Sequence, residues 1–282
     1  MKRRLLIMFL LGCLLPFAVQ AQHGTFRFAQ ITDIHFSPNN PNPTEDLLRS
    51  VAQINAIDSI DFVLVTGDIT EEGDRTTMLK VKETLDLLKA KYYVILGNHE
   101  TKWSDSGCTA FGEIFGGERF EFEHKGILFL GFNSGPLMRM AYGHVVPQDI
   151  RWMTEEMDKF GKDKPVILVT HYPLLDGDVD NWYEVTDAVR PYNIRLFIGG
   201  HYHRNRDLRY DGIPGILMRS NLRDKDGKPG YGIYDITKDS ILVYTQRIGE
   251  PKKQWAAFSL TQPYYDPVSY THLRAHETEL HL

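Results

Sequence analysis

Short apolar runs alternate along this chain with segments in which apolar residues recur at helical spacing. Runs of five or six residues that are apolar on both faces are typical of buried strands, and six of them occur at 26–31, 62–66, 92–96, 127–132, 166–170 and 194–198. Helical spacing predicts helices at 45–57, with Thr44 as its N-cap, at 78–88, and at 149–160, opened by Pro147. This alternation indicates βαβ units and a largely parallel sheet.

Four later runs, at 207–210, 213–218, 231–236 and 241–246, are short and separated by turn residues. This pattern predicts antiparallel strands that complete a second sheet. No internal repeat, low-complexity linker or block of charge divides the sequence, so we expect one domain over residues 22–267.

The amino-terminal end has the order of a signal peptide. Three basic residues at 2–4 precede an apolar stretch at 5–19 and the small residue Ala21, so we expect cleavage after Ala21 and export to a bacterial periplasm or cell envelope. A membrane anchor is the alternative, but the apolar stretch is shorter than the ~20 residues that a spanning helix needs. Residues 10–13 also resemble a lipobox with a lipid anchor on Cys13, although the residues after Cys13 stay apolar where a lipoprotein normally becomes polar.

The other end has a different origin. Residues 268–278 read VSYTHLRAHET and match a translated transposase-tagmentation sequencing adapter codon for codon. We therefore interpret residues 268–282 as an artefact and exclude them from the fold prediction. On this interpretation the native chain continued past Pro267, and its native C-terminus, with room for a further domain, is missing from the sequence.

Composition narrows the class of protein. The 282 residues are 42% hydrophobic and 24% charged, as in a globular domain that can bury its own core. The net charge of -5 leaves no excess of cations for a phosphate backbone, so we expect no general nucleic-acid binding. Cys13 would leave with the signal peptide, and Cys108 would then have no partner for an intrachain disulfide.

Polar side chains follow almost every predicted strand at its carboxyl end. In chain order they are Asp33 and His35, Asp68, Asn98 and His99, His171, and His201 and His203. In open α/β sheets ligands bind beyond the carboxyl ends of the strands, so we expect these side chains to share one cleft. Residues two apart in an extended chain project to the same side, which would pair Asp33 with His35 and His201 with His203.

This set of side chains suits metal ions. Imidazole, carboxylate and amide donors without a thiolate fit Mn, Fe or Zn and disfavour a structural zinc site. Two divalent ions held by only Asp33 and Asp68 as charged ligands would remain net positive, and so would attract a phosphate. Two such ions lower the pKa of a bridging water and align it with phosphorus, while His99 could protonate the leaving oxygen.

The ordered set resembles the motifs of the calcineurin-like metallophosphoesterases, from Asp33 to His203. The resemblance implies an α/β fold (α+β by some schemes), a two-sheet β-sandwich flanked by helices with the metal site at the carboxyl ends of the strands. It also implies two divalent or mixed-valence ions, Asp68 bridging them, and His99 as the general acid. The implied ligands are Asp33, His35, Asp68 and His203 for one ion, and Asp68, Asn98, His171 and His201 for the other.

Departures from the family patterns narrow the choice among the subfamilies. Purple acid phosphatases have a tyrosine three residues after the bridging aspartate, where this chain has Glu71. The serine/threonine protein phosphatases have an arginine in a G-D-x-V-D-R-G motif, whereas residues 67–73 read GDITEEG. The D-x-H opening and G-H-x-H close are most similar to bacterial phosphodiesterases of the cyclic-nucleotide type.

The expected protein is therefore an exported dinuclear-metal phosphoesterase. We expect a metal-bridging hydroxide to attack a small-molecule phosphoester, with a diester preferred. A phosphomonoesterase acting on phosphoproteins or nucleotides is the first alternative, and a non-catalytic phosphate-binding domain of a longer protein is the second. The residues predicted to hold the substrate phosphate or its ester group are Asn98, Arg139, His144 and Arg204.

Overall fold

A computed structural model describes residues 24–104, 106–136 and 141–261. The predicted signal peptide with Cys13, the candidate residue Arg139 and the 268–282 tail lie outside the described residues. Within the described ranges no helix has both the length and the apolar character that a membrane crossing requires.

Strands and helices alternate through the first two thirds of the chain. The strands are β1 (Phe26–Ile31), β2 (Phe62–Thr66), β3 (Lys91–Ile95), β4 (Phe120–His124), β5 (Ile127–Gly131), β6 (Val166–Val169), β7 (Ile194–Gly199), β8 (Arg206–Tyr210), β9 (Ile213–Leu217), β10 (Gly230–Ile236), β11 (Ser240–Arg247) and β12 (Lys253–Ser259). The helices are α1 (Asn42–Asn55), α2 (Arg75–Leu85), α3 (Asn98–Lys102), α4 (Thr109–Phe115), α5 (Pro147–Phe160) and α6 (Trp182–Val189).

The strands form two mixed sheets of six. Their orders are β12-β11-β10-β1-β2-β3 and β4-β5-β6-β7-β9-β8. The two sheets and their flanking helices confirm the predicted fold class.

Both faces of the central strands are buried, which is why these strands are continuous apolar runs in the sequence. Phe28 and Leu64 lie between the two sheets, together with Phe129 of β5. The sequence neighbours of Phe28 and Leu64 pack on the opposite face against α1 and α2, and the outer face of the second sheet packs against α5 and α6. The core is therefore a helix-sheet-sheet-helix stack. Each fully buried side chain of this size contributes about 1.5–3 kcal/mol to folding.

The pairing of the late strands differs from the prediction. β10 pairs antiparallel with β1, and β11 and β12 extend that first sheet. Only β8 and β9 join the second sheet, beside the parallel strands β5, β6 and β7. An apolar run predicts that a strand forms, but its neighbour depends on contacts between residues far apart in sequence.

Several local predictions also need correction. α1 begins at Asn42, after an N-cap at Pro41 that makes no side-chain cap hydrogen bond, so Thr44 is not the N-cap. Pro147 does open α5, as predicted. The elements α3, α4, α6, β4 and β12 were not predicted. The three helices are at most eight residues long, too short for a clear apolar period, and β4 and β12 consist mostly of exposed or half-buried residues and not of a continuous apolar run.

A buried glutamine joins the two sheets beneath the carboxyl ends of their strands. Gln30 of β1 donates from Nε2 to Thr66 Oγ1 at 2.8 Å and to the carbonyl oxygen of Gly199 at 2.9 Å. Because β2 and β7 end at these two residues, the hydrogen bonds hold the loops after the two strands next to each other.

Candidate metal centre

The loops that leave the strands bring the predicted metal ligands together. His35 Nε2 lies 3.0 Å from His203 Nε2, and Asp33 Oδ1 lies 3.3 Å from the same His203 atom. Asp68 Oδ2 lies 3.1 Å from His171 Nε2. Three groups have donor atoms within 4.8 Å of one another. Two of them consist of predicted ligands, and we call these the two clusters: Asp33 with His35 and His203, and Asp68 with His171 and His201. The third joins His35 to Glu71 and His99.

Both clusters agree with the two ligand sets that the resemblance implied. Asn98 completes the second set, because its Oδ1 lies 3.1 Å from His171 Nε2. His35 Nε2 lies 3.9 Å from Asp68 Oδ2, so Asp68 lies between the two clusters, as the bridging position requires. Ligation by these residues remains a prediction that their geometry supports.

The backbone reaches this arrangement through left-handed conformations. Asp33, His35 and Asp68 have φ angles of 51°, 51° and 48°, and His201 and His203 have 73° and 55°. The sequence argument that Asp33–His35 and His201–His203 are extended pairs was therefore wrong. Such φ values are costly for residues with a Cβ and cluster at functional sites.

Two glycines allow the loops to approach each other. A Cβ atom on Gly97 would lie 2.2 Å from Asp68 Oδ1, and one on Gly200 would lie 2.6 Å from Asp33 Oδ2. A side chain at either position would displace a buried carboxylate. These glycines are therefore needed for the contact itself.

The buried carboxylates favour a positive charge beside them. Burial opposes ionisation of Asp68, but the charge of His171 and its hydrogen bond outweigh burial and lower the pKa of Asp68. Burial likewise disfavours the His171 imidazolium, yet the charge of Asp68 and their hydrogen bond raise the pKa of His171 to about 9. The surroundings of Asp68 therefore favour a positive charge next to its carboxylate.

Two other histidines are kept neutral. Burial and the neighbouring His171 charge lower the pKa of His201 to about 3, and burial lowers the pKa of His35. Neutral imidazole is the form that ligates a metal. The donor set, its buried carboxylates and the neutral imidazoles of His35 and His201 therefore fit divalent metal ions.

Hydrogen bonds behind the clusters orient the rings. His171 donates from Nδ1 to the carbonyl oxygen of Thr66 at 2.7 Å, which leaves Nε2 free to ligate. His35 Nδ1 lies 3.1 Å from Glu71 Oε2, and His99 donates from Nδ1 to the backbone carbonyl of Glu71 at 2.6 Å. One residue thus orients both a predicted ligand and the predicted general acid.

Sequence reasoning gave no role to Glu71 or Glu100. Glu71 stands three residues after Asp68, at the position where purple acid phosphatases have a tyrosine. That comparison was the sequence signal that could have drawn attention to Glu71. Glu100 is fully buried and accepts hydrogen bonds at 2.9 Å from Thr70 N, Thr70 Oγ1 and Gly97 N. It ties the loop after β2 to the start of α3, which carries Asn98 and His99.

An open cleft of about 600 Å³ lies over the two clusters. His99 lines it, and Nε2 of His99 lies 4.0 Å from Asp68 Oδ2. Asp33 and His171 are completely buried. The described residues that line the cleft are His35, Ser37, Asn40, Pro43, Asp68, Glu71, Asn98, His99, His201, His203 and Leu222.

Of the predicted substrate-binding residues that the structure describes, one lines the cleft and two do not. Asn98 lines the cleft, whereas His144 and Arg204 are not among the described residues that do. His144 Nδ1 lies 2.7 Å from Asp180 Oδ1, and Arg204 is exposed. Nearness in sequence to a motif does not bring a side chain into the cleft, and the roles of His144, Arg204 and Arg139 remain predictions.

The sandwich and its polar strand ends define a metal-dependent phosphoric ester hydrolase. The sequence profile of the calcineurin-like phosphoesterases matches residues 26–205, and the chain belongs to that family. The predicted resemblance is therefore confirmed.

Three relatives show how far the similarity extends. The chain is 27% identical over 199 residues to the probable glycerophosphodiester phosphodiesterase GpdQ of Arcobacter nitrofigilis, covering 62% of this chain and 71% of that protein. It is 31% identical over 243 residues to a probable cyclic nucleotide phosphodiesterase of Vesicomyosocius okutanii, covering 79% and 99%. It is 26% identical over 260 residues to the uncharacterized protein YvnB of Bacillus subtilis, covering 80% of this chain but only 19% of that protein.

A solved structure has the same fold. The dimetal phosphatase of Danio rerio superposes with a TM-score of 0.64 at 15% identity, covering 81% of this chain and 98% of that one. At this identity the likeness is one of fold.

Proposed function

We propose that this protein hydrolyses small-molecule phosphodiesters with two divalent metal ions bound at the cleft. The observation that carries the proposal is the charge of the cleft wall. None of the lining residues in the described ranges is lysine or arginine. Besides Asp68, the acidic residue among them is Glu71, whose side chain is 48% exposed. A monoester carries up to two negative charges, whereas a diester carries one and needs fewer positively charged side chains to bind.

The metal ions would be Mn, Fe or Zn, held by the two ligand sets named above. When bound, they supply Lewis acidity and an activated water at neutral pH. Buried Asp33 and Asp68 provide the charge that holds them. Asn98, which also lines the cleft, provides a neutral amide that can contact the substrate phosphate.

His99 provides the proton for the departing oxygen. Because its Nδ1–H is donated to the Glu71 carbonyl, only Nε2 faces the cleft, and the ring must carry a second proton to act as an acid. Transfer from Nε2 to the ester oxygen lets the alcohol leave neutral and leaves His99 neutral. A proton from water then restores the imidazolium for the next turnover.

Two relatives support the preference for diesters. GpdQ is named for glycerophosphodiesters and the Vesicomyosocius okutanii protein for cyclic nucleotides, and both are phosphodiesters. The chain spans only 19% of YvnB. For a longer protein that contains this chain, we propose the same phosphodiesterase activity.

Hydrolysis of bis-p-nitrophenyl phosphate beside p-nitrophenyl phosphate tests the proposal. The purified chain is stripped with a chelator and restored with Mn, Zn or Fe. We expect turnover only after metal is restored, with kcat/KM for the diester at least about tenfold above that for the monoester, a difference of about 1.4 kcal/mol in activation free energy. A preference for the monoester would favour the phosphomonoesterase, and no turnover with both metals bound would favour the non-catalytic binding domain.

We further propose that the protein is exported after cleavage behind Ala21, on the order of basic, apolar and small residues at 2–21. Mass spectrometry of the protein from a fractionated Gram-negative host is expected to find a mature chain that begins at Gln22 in the periplasm. A chain that begins at a lipidated Cys13 would indicate the lipid anchor instead. Full-length protein confined to the cytoplasm would overturn export.

A further inference from the structure

Part of the cleft wall belongs to neither ligand set and does not contain His99. It consists of Ser37 and Asn40, which precede α1, of Pro43 in the first turn of α1, and of Leu222 from the segment between β9 and β10. We call these four residues the subsite wall.

Local hydrogen bonds determine which groups the subsite wall presents. Asn40 Oδ1 accepts a hydrogen bond from the Asn42 backbone N–H at 3.1 Å, so the amide N–H groups of Asn40 remain for a ligand. Ser37 Oγ accepts one from the Asn39 backbone N–H at 3.3 Å, which leaves its hydroxyl proton to donate. Both polar side chains of the wall therefore offer neutral donors.

The two segments of the wall are held together by a buried anchor. Arg223 donates from its backbone N–H and from Nε to the carboxylate of Asp46, at 2.8 Å in both cases. Asp46 is fully buried on α1, the helix that the 37–43 segment enters. Asn221 N–H also donates to the Thr32 carbonyl at 2.8 Å. Leu222 is therefore held in place beside the strand end that carries Asp33, as a preorganised binding wall requires.

The chemistry of the wall indicates what it can bind. Neutral donors beside the apolar carbons of Pro43 and Leu222 suit an uncharged group with hydroxyls on a short carbon chain. Among the cleft residues that the structure describes, none is Phe, Tyr or Trp, so a nucleobase has no aromatic ring on which to stack. None is Lys or Arg, so a second phosphate has no cation to pair with.

We propose that Asn40 is a specificity-determining residue that donates a hydrogen bond to a hydroxyl of the ester group retained on phosphorus. Leu222 packs against the carbon atoms of that group. The substrate class is then a diester of a small polyol. This inference rests on the proposed function, because it assumes that the cleft hydrolyses diesters.

Three diesters that share a p-nitrophenyl leaving group compare the retained group, which is methyl, glyceryl or 5′-thymidyl. Turnover is measured as the phosphomonoester formed, because the neighbouring hydroxyl of the glyceryl group can also expel p-nitrophenolate by closing a cyclic phosphate. With the metal-restored full chain we expect kcat/KM for the glyceryl ester to exceed that for the methyl ester about tenfold, the upper range of one net hydrogen bond. The thymidyl ester is expected to gain nothing over methyl. Failure of all three esters would count against the proposed function, whereas turnover without a glyceryl preference would overturn the subsite alone.

Variants of Asn40 complete the test. Asn40→Ala and Asn40→Ser are expected to bring the glyceryl-to-methyl ratio of kcat/KM close to one. The serine variant keeps an oxygen that can accept from the Asn42 N–H and so preserves the turn. The matched control is Asn39→Ala, since Asn39 is exposed and is not among the described lining residues, and it should keep the wild-type ratio. A wild-type ratio in Asn40→Ser would overturn the proposal.

Discussion

Replacing Asp68 by alanine is expected to lower kcat for diester hydrolysis by about a thousandfold and to remove at least one of the two metal ions. Asp68 is buried between the clusters, with Oδ2 3.1 Å from His171 Nε2 and 3.9 Å from His35 Nε2. Without the carboxylate between the two ligand sets, the cleft would lose the Lewis acidity and activated water that two metal ions together supply, and a thousandfold fall in kcat corresponds to about 4 kcal/mol in activation free energy. Steady-state kinetics and metal content by elemental analysis measure the two effects.

A thermal melt separates loss of metal from loss of fold. Adding Mn or Zn at about one hundred times its Kd is expected to stabilise the wild type by about 2.7 kcal/mol. The Asp68→Ala variant should lose most of that shift while it still melts cooperatively. Asp61→Asn is the matched control, because Asp61 precedes the same strand β2 at its opposite end and pairs with Lys125 and His124. Retention of two ions and activity within tenfold of wild type in Asp68→Ala would reject the bridging role.

His99→Ala is expected to retain both metal ions and to lose turnover about 10²- to 10⁴-fold, the range of general acid catalysis. His99 belongs to neither ligand set, and its Nε2 lies at 4.0 Å from Asp68 Oδ2. An alkyl leaving group needs a proton more than p-nitrophenolate does. The loss should therefore be larger for a dialkyl phosphate than for bis-p-nitrophenyl phosphate.

The dependence on the leaving group distinguishes proton donation from a structural role. Equal losses for both esters would show that His99 positions the site without donating a proton, and near-normal activity would remove it from the mechanism. His124→Gln is the matched control, since His124 pairs with Asp61 and is not among the described residues of the cleft. It should keep the metal content and both rates of the wild type.

Much of the site could be predicted from the sequence because its residues directly follow the predicted strands. β1 and β2 have the predicted bounds, and the polar residues after successive strands converge as the rule for α/β sheets requires. The strands were predictable because they are buried on both faces, as Phe28 and Ala29 illustrate on opposite sides of β1. Each strand and its polar end are local in sequence.

What could not be predicted depends on pairs of segments far apart in the chain. No local pattern distinguishes β10, which joins β1, from β9, which joins β7. Asn40 and Leu222 belong to no motif, and long-range contacts such as the one between Arg223 and Asp46 bring them to one cleft.

By itself, the sequence determined the class of fold, the chemistry of the donors and their order along successive strands, because those properties are local to each strand and its following turn. The tertiary structure alone decided which sheet each late strand joins, the left-handed backbone at Asp33 and Asp68, and the roles of Glu71 and Glu100. These depend on hydrogen bonds and close contacts between separate segments, such as the approach of Gly97 to Asp68, and such contacts form only once the strands that carry the loops, here β2 and β3, lie side by side.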